Sequence, residues 1–175
     1  MRRFYLPVAV ALFVATAVPA AAQDKEPCGA EMVCASAPKT VVDAFRDAGL
    51  KAKLQIDDAG DPLIESAASG YNFDTYFYGC VETRQCSSLQ FRVVFLKEPE
   101  NTVELANKWN AAKRYSQMFL ADNGQLVVSW DVTTVGGLPK RNFTEVLGMW
   151  EMVLGELGKF FDEQIPAKPE AKKAG

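Results

Sequence analysis

The stretch NFDTYFYGCVETRQCSSLQFRVVFL, residues 72–96, decides the fold. Two runs of alternating apolar and polar side chains, residues 72–78 and 88–96, flank a short polar loop that has a cysteine near each end. Alternation with a period of two is typical of a strand with one buried face. The apolar faces carry Phe73, Thr75 and Phe77 in the first run and Leu89, Phe91, Val93 and Phe95 in the second. The stretch therefore predicts two adjacent strands, each with a core face and a mixed face.

The cysteines form two pairs with the same spacing, five residues intervening in each: Cys28 with Cys34, and Cys80 with Cys86. An even number of cysteines in an exported chain is typical of a disulfide framework. A zinc site would need C-x-x-C spacing or histidine ligands, and the chain contains no histidine. A thiol redox centre would need a C-x-x-C motif, which is also absent from the sequence. We therefore expect all four cysteines to form structural disulfides.

Four cysteines allow three pairings. Cross-pairing of residues 28–80 and 34–86 would close long loops and stabilise the fold by about 4 kcal/mol per bridge, against about 2 kcal/mol for local pairs. We favour the local pairs, because Cys80 and Cys86 lie where two strands leave one turn and are already close to bridging distance.

The flanking sequence adds helices and further strands. Helical apolar stripes predict helices over residues 38–50, with Gly49 as the C-cap, over residues 101–114, with Asn101 as the N-cap, and over residues 143–161. The segment KLQIDDAGDPLIES, residues 53–66, predicts two short strands around a turn, and residues 115–121 and 126–133 predict a hairpin around DNG. This order of helix, strand meander, helix, hairpin and helix predicts an α+β domain whose antiparallel sheet is covered by helices.

The N-terminus predicts export. Arg2 and Arg3 precede an apolar run, and Pro19 comes just before three alanines, so residues 1–22 match a cleavable signal peptide better than a retained membrane anchor. We expect a disulfide-tied leader over residues 23–37, a single domain over residues 38–165 and a disordered tail over residues 166–175. Without the two arginines, 17 basic and 22 acidic residues remain, a net charge of −5. This charge disfavours nucleic acid as a partner, and we expect a periplasmic protein without stable membrane insertion.

Catalytic and metal-binding patterns are weak in this sequence. Ser87 and Ser88 are available as nucleophiles, but there is no histidine to act as a base and no G-x-S-x-G elbow. The segment DDAGD, residues 57–61, offers carboxylates for calcium, yet it lacks EF-hand spacing and a distant bidentate Glu, which favours a solvated turn. We expect no enzyme activity, no metal and no cofactor.

Two groups of residues are candidates for partner binding. One lies on the mixed face of the central strands, where aromatic and Arg side chains are typical of interfaces: Tyr76, Tyr78 and Arg92. The other combines the segment NKWNAAKR with an acid on the last strand: Asn107, Trp109, Asn110, Arg114 and Asp131. The alternative for the second group is structural, with Trp109 in the core, the two asparagines forming local hydrogen bonds and Arg114 paired with an acid.

Three glycines within the last predicted helix bear on association: Gly148, Gly155 and Gly158. Each costs about 1 kcal/mol relative to Ala in a helix. This cost indicates either the close approach of a second subunit or tolerance on an exposed face.

Five segments in fixed order resemble the YbjN family of bacterial sensory-transduction regulators. They are DPLIES, YGC followed by CSSLQF, NKWNAAKR, SWDVTTVGG and the tryptophan-bearing last helix, and the resemblance extends over residues 41–161. The resemblance implies a fold similar to type III secretion chaperones, in the order α-β-β-β-α-β-β-α, with the segments around Gln55 and Leu63 forming one bent or interrupted strand. It also implies a homodimer, and it brings no catalytic residues.

The sequence thus predicts a non-enzymatic periplasmic binding or regulatory module that recognises a protein or peptide. The alternative is a small-molecule sensor domain with an internal apolar pocket.

Overall fold

The computed structural model describes residues 27–165. The predicted signal peptide, residues 23–26 of the predicted leader and the whole predicted tail lie outside these residues. The helices are α1 (Pro38–Asp47), α2 (Val103–Ala112) and α3 (Lys140–Gln164). The strands are β1 (Met32–Val33), β2 (Lys53–Ile56), β3 (Pro62–Ala68), β4 (Tyr71–Tyr78), β5 (Ser88–Phe95), β6 (Gln117–Leu120), β7 (Leu126–Thr133) and β8 (Leu138–Pro139). The α+β class is confirmed.

Six strands form one antiparallel sheet in the order β2-β3-β4-β5-β7-β6. The pattern of the opening stretch is confirmed, because β4 and β5 are central and pair directly. β2 and β3 are separate strands that pair with each other, so the expectation of one bent strand is wrong. The turn DDAGD reverses the chain between them: Oδ1 of Asp57 accepts the backbone N–H groups of Ala59 and Asp61, which fixes a tight turn.

α1 and α3 cover one face of the sheet, and the core lies between. Phe45 of α1 and Trp150 of α3 both contact Phe73 and Phe91, which point from β4 and β5 into this layer. The seven most buried positions of α3 recur at helical spacing, namely Phe143, Leu147, Trp150, Val153, Leu154, Leu157 and Phe160. Phe161, the next residue, is half-buried and packs against the same core.

Helix ends differ from the sequence predictions by a few residues. α1 stops at Asp47 and its C-cap is Ala48, so the prediction of Gly49 as the C-cap is wrong by one residue. Gly49 follows with a left-handed φ of 81°, a conformation common just after a helix end. The N-cap of α2 is Thr102, whose hydroxyl accepts the Leu105 N–H at 3.1 Å. The prediction of Asn101 as the N-cap is wrong, because its side-chain amide donates to the Leu96 carbonyl instead.

The segment that precedes α1 packs onto the domain. β1 pairs with β8 in a separate two-stranded sheet, and Val33, Cys34 and Ala35 are buried. Thr134, also fully buried, joins this segment to the main sheet. Its Oγ1 accepts the Ala35 N–H at 2.9 Å, and its N–H donates to the Ser87 carbonyl at 3.0 Å.

Both disulfides pair local cysteines as predicted: Cys28 with Cys34 and Cys80 with Cys86. The second closes the tip of the β4–β5 hairpin, and Val81 and Arg84 form a small bridge inside it. Disulfides persist in oxidising compartments, so the two bridges indicate an extracytoplasmic environment. No helix within residues 27–165 combines the length and the apolar composition that a membrane crossing needs.

Candidate partner-binding surface

The sheet face opposite α1 and α3, here called the outer face, is open to solvent over its centre. Residues paired across antiparallel strands point to the same side, so the register defines two rows on this face. One row contains Leu63, Tyr76, Gln90 and Asp131, and the next contains Glu65, Asp74, Arg92 and Ser129. The period of two within β4 and β5 therefore places aromatic, basic and acidic side chains on one exposed surface.

Arg92 is the centre of this surface. Its guanidinium lies 5.7 Å from the ring centre of Tyr76, and the Tyr76 and Tyr78 rings are stacked at 6.3 Å. The Arg92 Nε atom is buried and has no hydrogen-bond partner among the described residues. A buried donor without an acceptor costs roughly 1–3 kcal/mol.

Acidic groups surround Arg92. Asp74 lies directly across the β4–β5 pair from it, and Glu65 follows on β3. Partial burial raises the pKa of Asp74, repulsion from Glu65 raises it further, and Arg92 opposes both effects. Burial also raises the pKa of the Tyr76 hydroxyl, with a further contribution from Asp74. The surface thus combines two stacked tyrosine rings, one guanidinium and the neighbouring carboxylates of Asp74 and Glu65.

Asp131 joins this surface from β7. Its Oδ1 accepts a hydrogen bond from Nε2 of Gln90 at 3.0 Å, which ties β7 to β5 on the outer face. Asp131 also lines an open hollow of about 400 Å³, together with Tyr115, Ser116, Gln117, Ser129 and Trp130. The structure therefore brings Tyr76, Tyr78, Arg92 and Asp131 onto one face, so Asp131 does not belong with the segment NKWNAAKR as predicted.

The residues predicted on α2 lie away from this face. Trp109 is fully buried, packs edge-on against Phe160 at 5.2 Å, and donates from Nε1 to the Ser116 hydroxyl at 3.1 Å. Asn110 binds both backbone groups of Met118 on the edge strand β6. These two positions match the structural alternative, while Asn107 is exposed. The Arg114 guanidinium lies 4.8 Å from the Tyr115 ring centre, a contact that the sequence pattern does not predict.

The alternative chemistries receive no geometric support. Residues 27–165 contain no cluster of three or more metal-ligating side chains. Ser87 donates from its hydroxyl to the Tyr78 carbonyl, which is a hairpin contact. Gly148 and Gly155 are exposed, and a Cβ added at Gly148 would meet nothing, so neither is required by packing within this chain.

Comparisons with known proteins place the chain in a family. The model of the YbjN family, described as "Putative bacterial sensory transduction regulator", matches residues 37–163. The crystal structure of YbjN from E. coli, described as "a putative transcription regulator", superimposes with a TM-score of 0.52 at 16% identity. The match covers 73% of this chain and 94% of that one, and it shows the shared fold. No curated protein sequence matches. The family match spans most of the domain, so this chain belongs to the YbjN family.

Proposed function

We propose that this protein is a non-enzymatic periplasmic module, active as a homodimer, that recognises a protein or peptide through the outer face. The observation that carries the proposal is the Arg92 guanidinium over the Tyr76 ring, beside the stacked pair of Tyr76 and Tyr78 on the open sheet face. Tyr and Arg dominate the binding energy of many interfaces. Tyr buries a large, rigid area at little entropic cost, and Arg offers five hydrogen-bond donors. A guanidinium next to such a pair is the combination of side chains typical of the centre of an interface.

The charges specify the kind of partner segment. The Arg92 guanidinium donates hydrogen bonds, so it would bind a carbonyl or carboxylate oxygen of the partner. Glu65, Asp74 and Asp131 place negative charge on the same face. A segment carrying one acceptor flanked by Lys or Arg would satisfy both requirements. We therefore propose a protein or peptide of mixed but mainly basic character. The negative net charge of the chain also favours a basic partner.

The periplasmic assignment rests on two separate observations. The N-terminal 22 residues have the pattern of a signal peptide, and the two disulfides suit an oxidising compartment. The non-enzymatic assignment is supported by the absence of histidine from the sequence and by the family description as a regulator.

Site-directed photocrosslinking in cells tests the proposal. A photoreactive residue at Thr133, exposed on the outer face in the row of Tyr78 and Ser88, should capture a discrete protein in the periplasmic fraction. Glu145, exposed on α3, is the matched control and should capture none. Adding Arg92→Ala should abolish the Thr133 adduct while the melting temperature shows that the fold persists. Equal labelling at both positions, or an adduct indifferent to Arg92→Ala, would contradict the proposal.

One observation favours a second candidate, a small-molecule sensor. An apolar hollow of about 510 Å³ lies between the ends of β5 and α3, lined by Val94, Phe95, Leu96, Glu98, Asn101, Phe161 and Ile165. It opens at the surface rather than inside the core. A metabolite that raises the melting temperature of the wild type but not of Phe161→Ala, without any protein captured at Thr133, would favour this function over the first.

A further inference from the structure

The two edge strands of the main sheet differ in whether a side chain binds their outward backbone groups. At the β6 edge, the Asn110 carboxamide donates to the Met118 carbonyl and accepts the Met118 N–H, at 2.9 and 2.8 Å. A side chain thus occupies the hydrogen-bonding position that a further strand would take. At the other edge, β2 pairs with β3 on one side only. An edge strand with free backbone groups is a template for another strand.

The β2–β3 register identifies which backbone groups point outward. The Asp57 N–H donates to the Asp61 carbonyl, so residues 57 and 61 form a hydrogen-bonded pair. Hydrogen-bonded pairs alternate along an antiparallel ladder, and Gln55 opposite Leu63 is therefore the next one. Leu54 and Ile56 direct their N–H and C=O groups away from β3. The residue opposite Ile56 is Pro62, which has no N–H to donate, in agreement with this assignment.

The side chains of this edge are apolar and uncovered. Leu54 is 47% exposed and Ile56 is 67% exposed, although both lie on the side of the sheet that the helices cover elsewhere. Natural edge strands are commonly protected by charges, prolines or bulges. Two exposed aliphatic side chains beside outward backbone donors instead suit a strand that is paired in the working form of the protein.

We propose that a second copy of this chain pairs with β2 in antiparallel orientation, about a twofold axis through Gln55 and perpendicular to the sheet. In this register Leu54 lies opposite Ile56 of the other copy, twice, and these are the residues whose backbone groups point outward. Lys53 lies opposite Asp57 of the other copy, twice. Apolar side chains meet apolar ones, and opposite charges meet across the axis.

This self-complementarity is the reason to choose a second copy over a foreign strand. Moving the axis by one residue to Leu54 would keep a charge pairing, between Lys51 and Asp57, but would place Ile56 opposite Ala52, a much smaller side chain. The Ala52 carbonyl also accepts a hydrogen bond from Arg46 within its own chain, which disfavours that register. Lys53 already contacts Glu65 within its own chain at 3.1 Å. In the dimer it would lie between that carboxylate and Asp57 of the other copy.

The pairing would join two six-stranded sheets into one of twelve strands. A twofold axis perpendicular to the sheet keeps both outer faces on the same side, so a dimer would present two Arg92 surfaces together. The inference deepens the proposed homodimer by naming its interface. It does not depend on the outer face binding a partner.

Cysteine crosslinking of the full chain tests the register. Gln55→Cys would place two thiols across the axis in a non-hydrogen-bonded pair, where Cα atoms are about 4.5 Å apart. The described native cysteines are all in disulfides and do not compete. We expect Gln55→Cys to give a disulfide-linked dimer on mild oxidation. Lys53→Cys, on the same strand and face, should give at least about tenfold less, because its two copies would be roughly 14 Å apart.

Sedimentation velocity supplies the second measurement. Ile56→Pro removes an outward N–H while the ladder to β3 stays intact, so it should convert the wild-type dimer to a monomer. Ile56→Glu changes only an exposed side chain and should have the same effect if the proline variant fails to fold. A monomeric wild type would overturn both this interface and the proposed homodimer. A dimer that survives both variants, with no disulfide-linked dimer formed by Gln55→Cys, would overturn this interface alone.

Discussion

At the scale of single residues, Asn110 shows how one side chain protects an edge strand. It belongs to α2, yet its two hydrogen bonds go to the Met118 backbone. Asn110→Ala should lower the free energy of unfolding by about 1–3 kcal/mol, because it leaves one backbone donor and one acceptor without partners. Asn107→Ala on the same helix is the control for helix propensity and should stay within about 0.5 kcal/mol of the wild type. Equal urea midpoints for the two variants would show that the contact contributes nothing.

Asp74 makes stability depend on pH in a direction opposite to the usual carboxylate. Its pKa is raised in the fold by burial and by Glu65. A raised pKa means that the folded state holds the proton more tightly than the unfolded state. The associated stability is complete below the ordinary carboxyl pKa of about 4 and is lost as pH rises through the folded pKa.

Asp74→Asn removes this dependence and should therefore stabilise the protein at pH 7 relative to the wild type. At pH 3, where the wild-type carboxyl is protonated in both states, the two proteins should unfold at closer urea midpoints. Asp131→Asn on the same face is a suitable control, because its carboxylate accepts from Gln90. If the difference in urea midpoint between wild type and Asp74→Asn grows as the pH falls to 3, the expected direction of the pH dependence is wrong.

At the scale of elements, the tip of the β4–β5 hairpin is held in an unusual backbone conformation. Glu82 and Thr83 have φ angles of 49° and 60° between the mutually bonded Val81 and Arg84. This arrangement matches a type I′ turn, which favours Asn-Gly because both central residues need positive φ. Glu82→Asn with Thr83→Gly should raise the unfolding free energy by about 1 kcal/mol. A urea midpoint that falls would mean that the side chains at these positions contribute more than the turn geometry costs.

The local sequence pattern predicts the helices and strands themselves but not which of them lie next to each other. The alternation in β4 and β5 and the apolar stripe of α3 are set by side chains close in sequence, and all three elements were found. The position of Cys80 and Cys86 at a hairpin turn likewise favours the local pairing that both bridges have. Sheet order depends on contacts between strands that are distant in sequence. The hydrogen bond from Gln90 to Asp131 is therefore not predicted by the local pattern. The roles of Trp109 and Asn110 also depend on residues distant in sequence. Trp109 packs against Phe160 of α3, and Asn110 binds the backbone of Met118 on β6.

At the scale of the whole molecule, the aromatic core rather than the disulfides connects the elements. Phe45 contacts Phe73, Phe91 and Phe143, which come from three different elements. Each disulfide spans a sequence separation of only six residues and so constrains a short loop. Removing one local bridge should therefore cost about 2 kcal/mol and leave a cooperative fold.

Thr134 couples the two disulfide loops across the molecule. It accepts a hydrogen bond from Ala35, next to Cys34, and donates to Ser87, next to Cys86. Contacts shared by two sites make their energies non-additive by about 0.5–3 kcal/mol. Replacing each cysteine pair by serine, singly and together, should thus give urea-unfolding costs that fail to add. In a Thr134→Val background, which removes the hydroxyl bonds, the non-additivity should shrink. Costs that add equally well in both backgrounds would show that the leader and the hairpin tip are held independently.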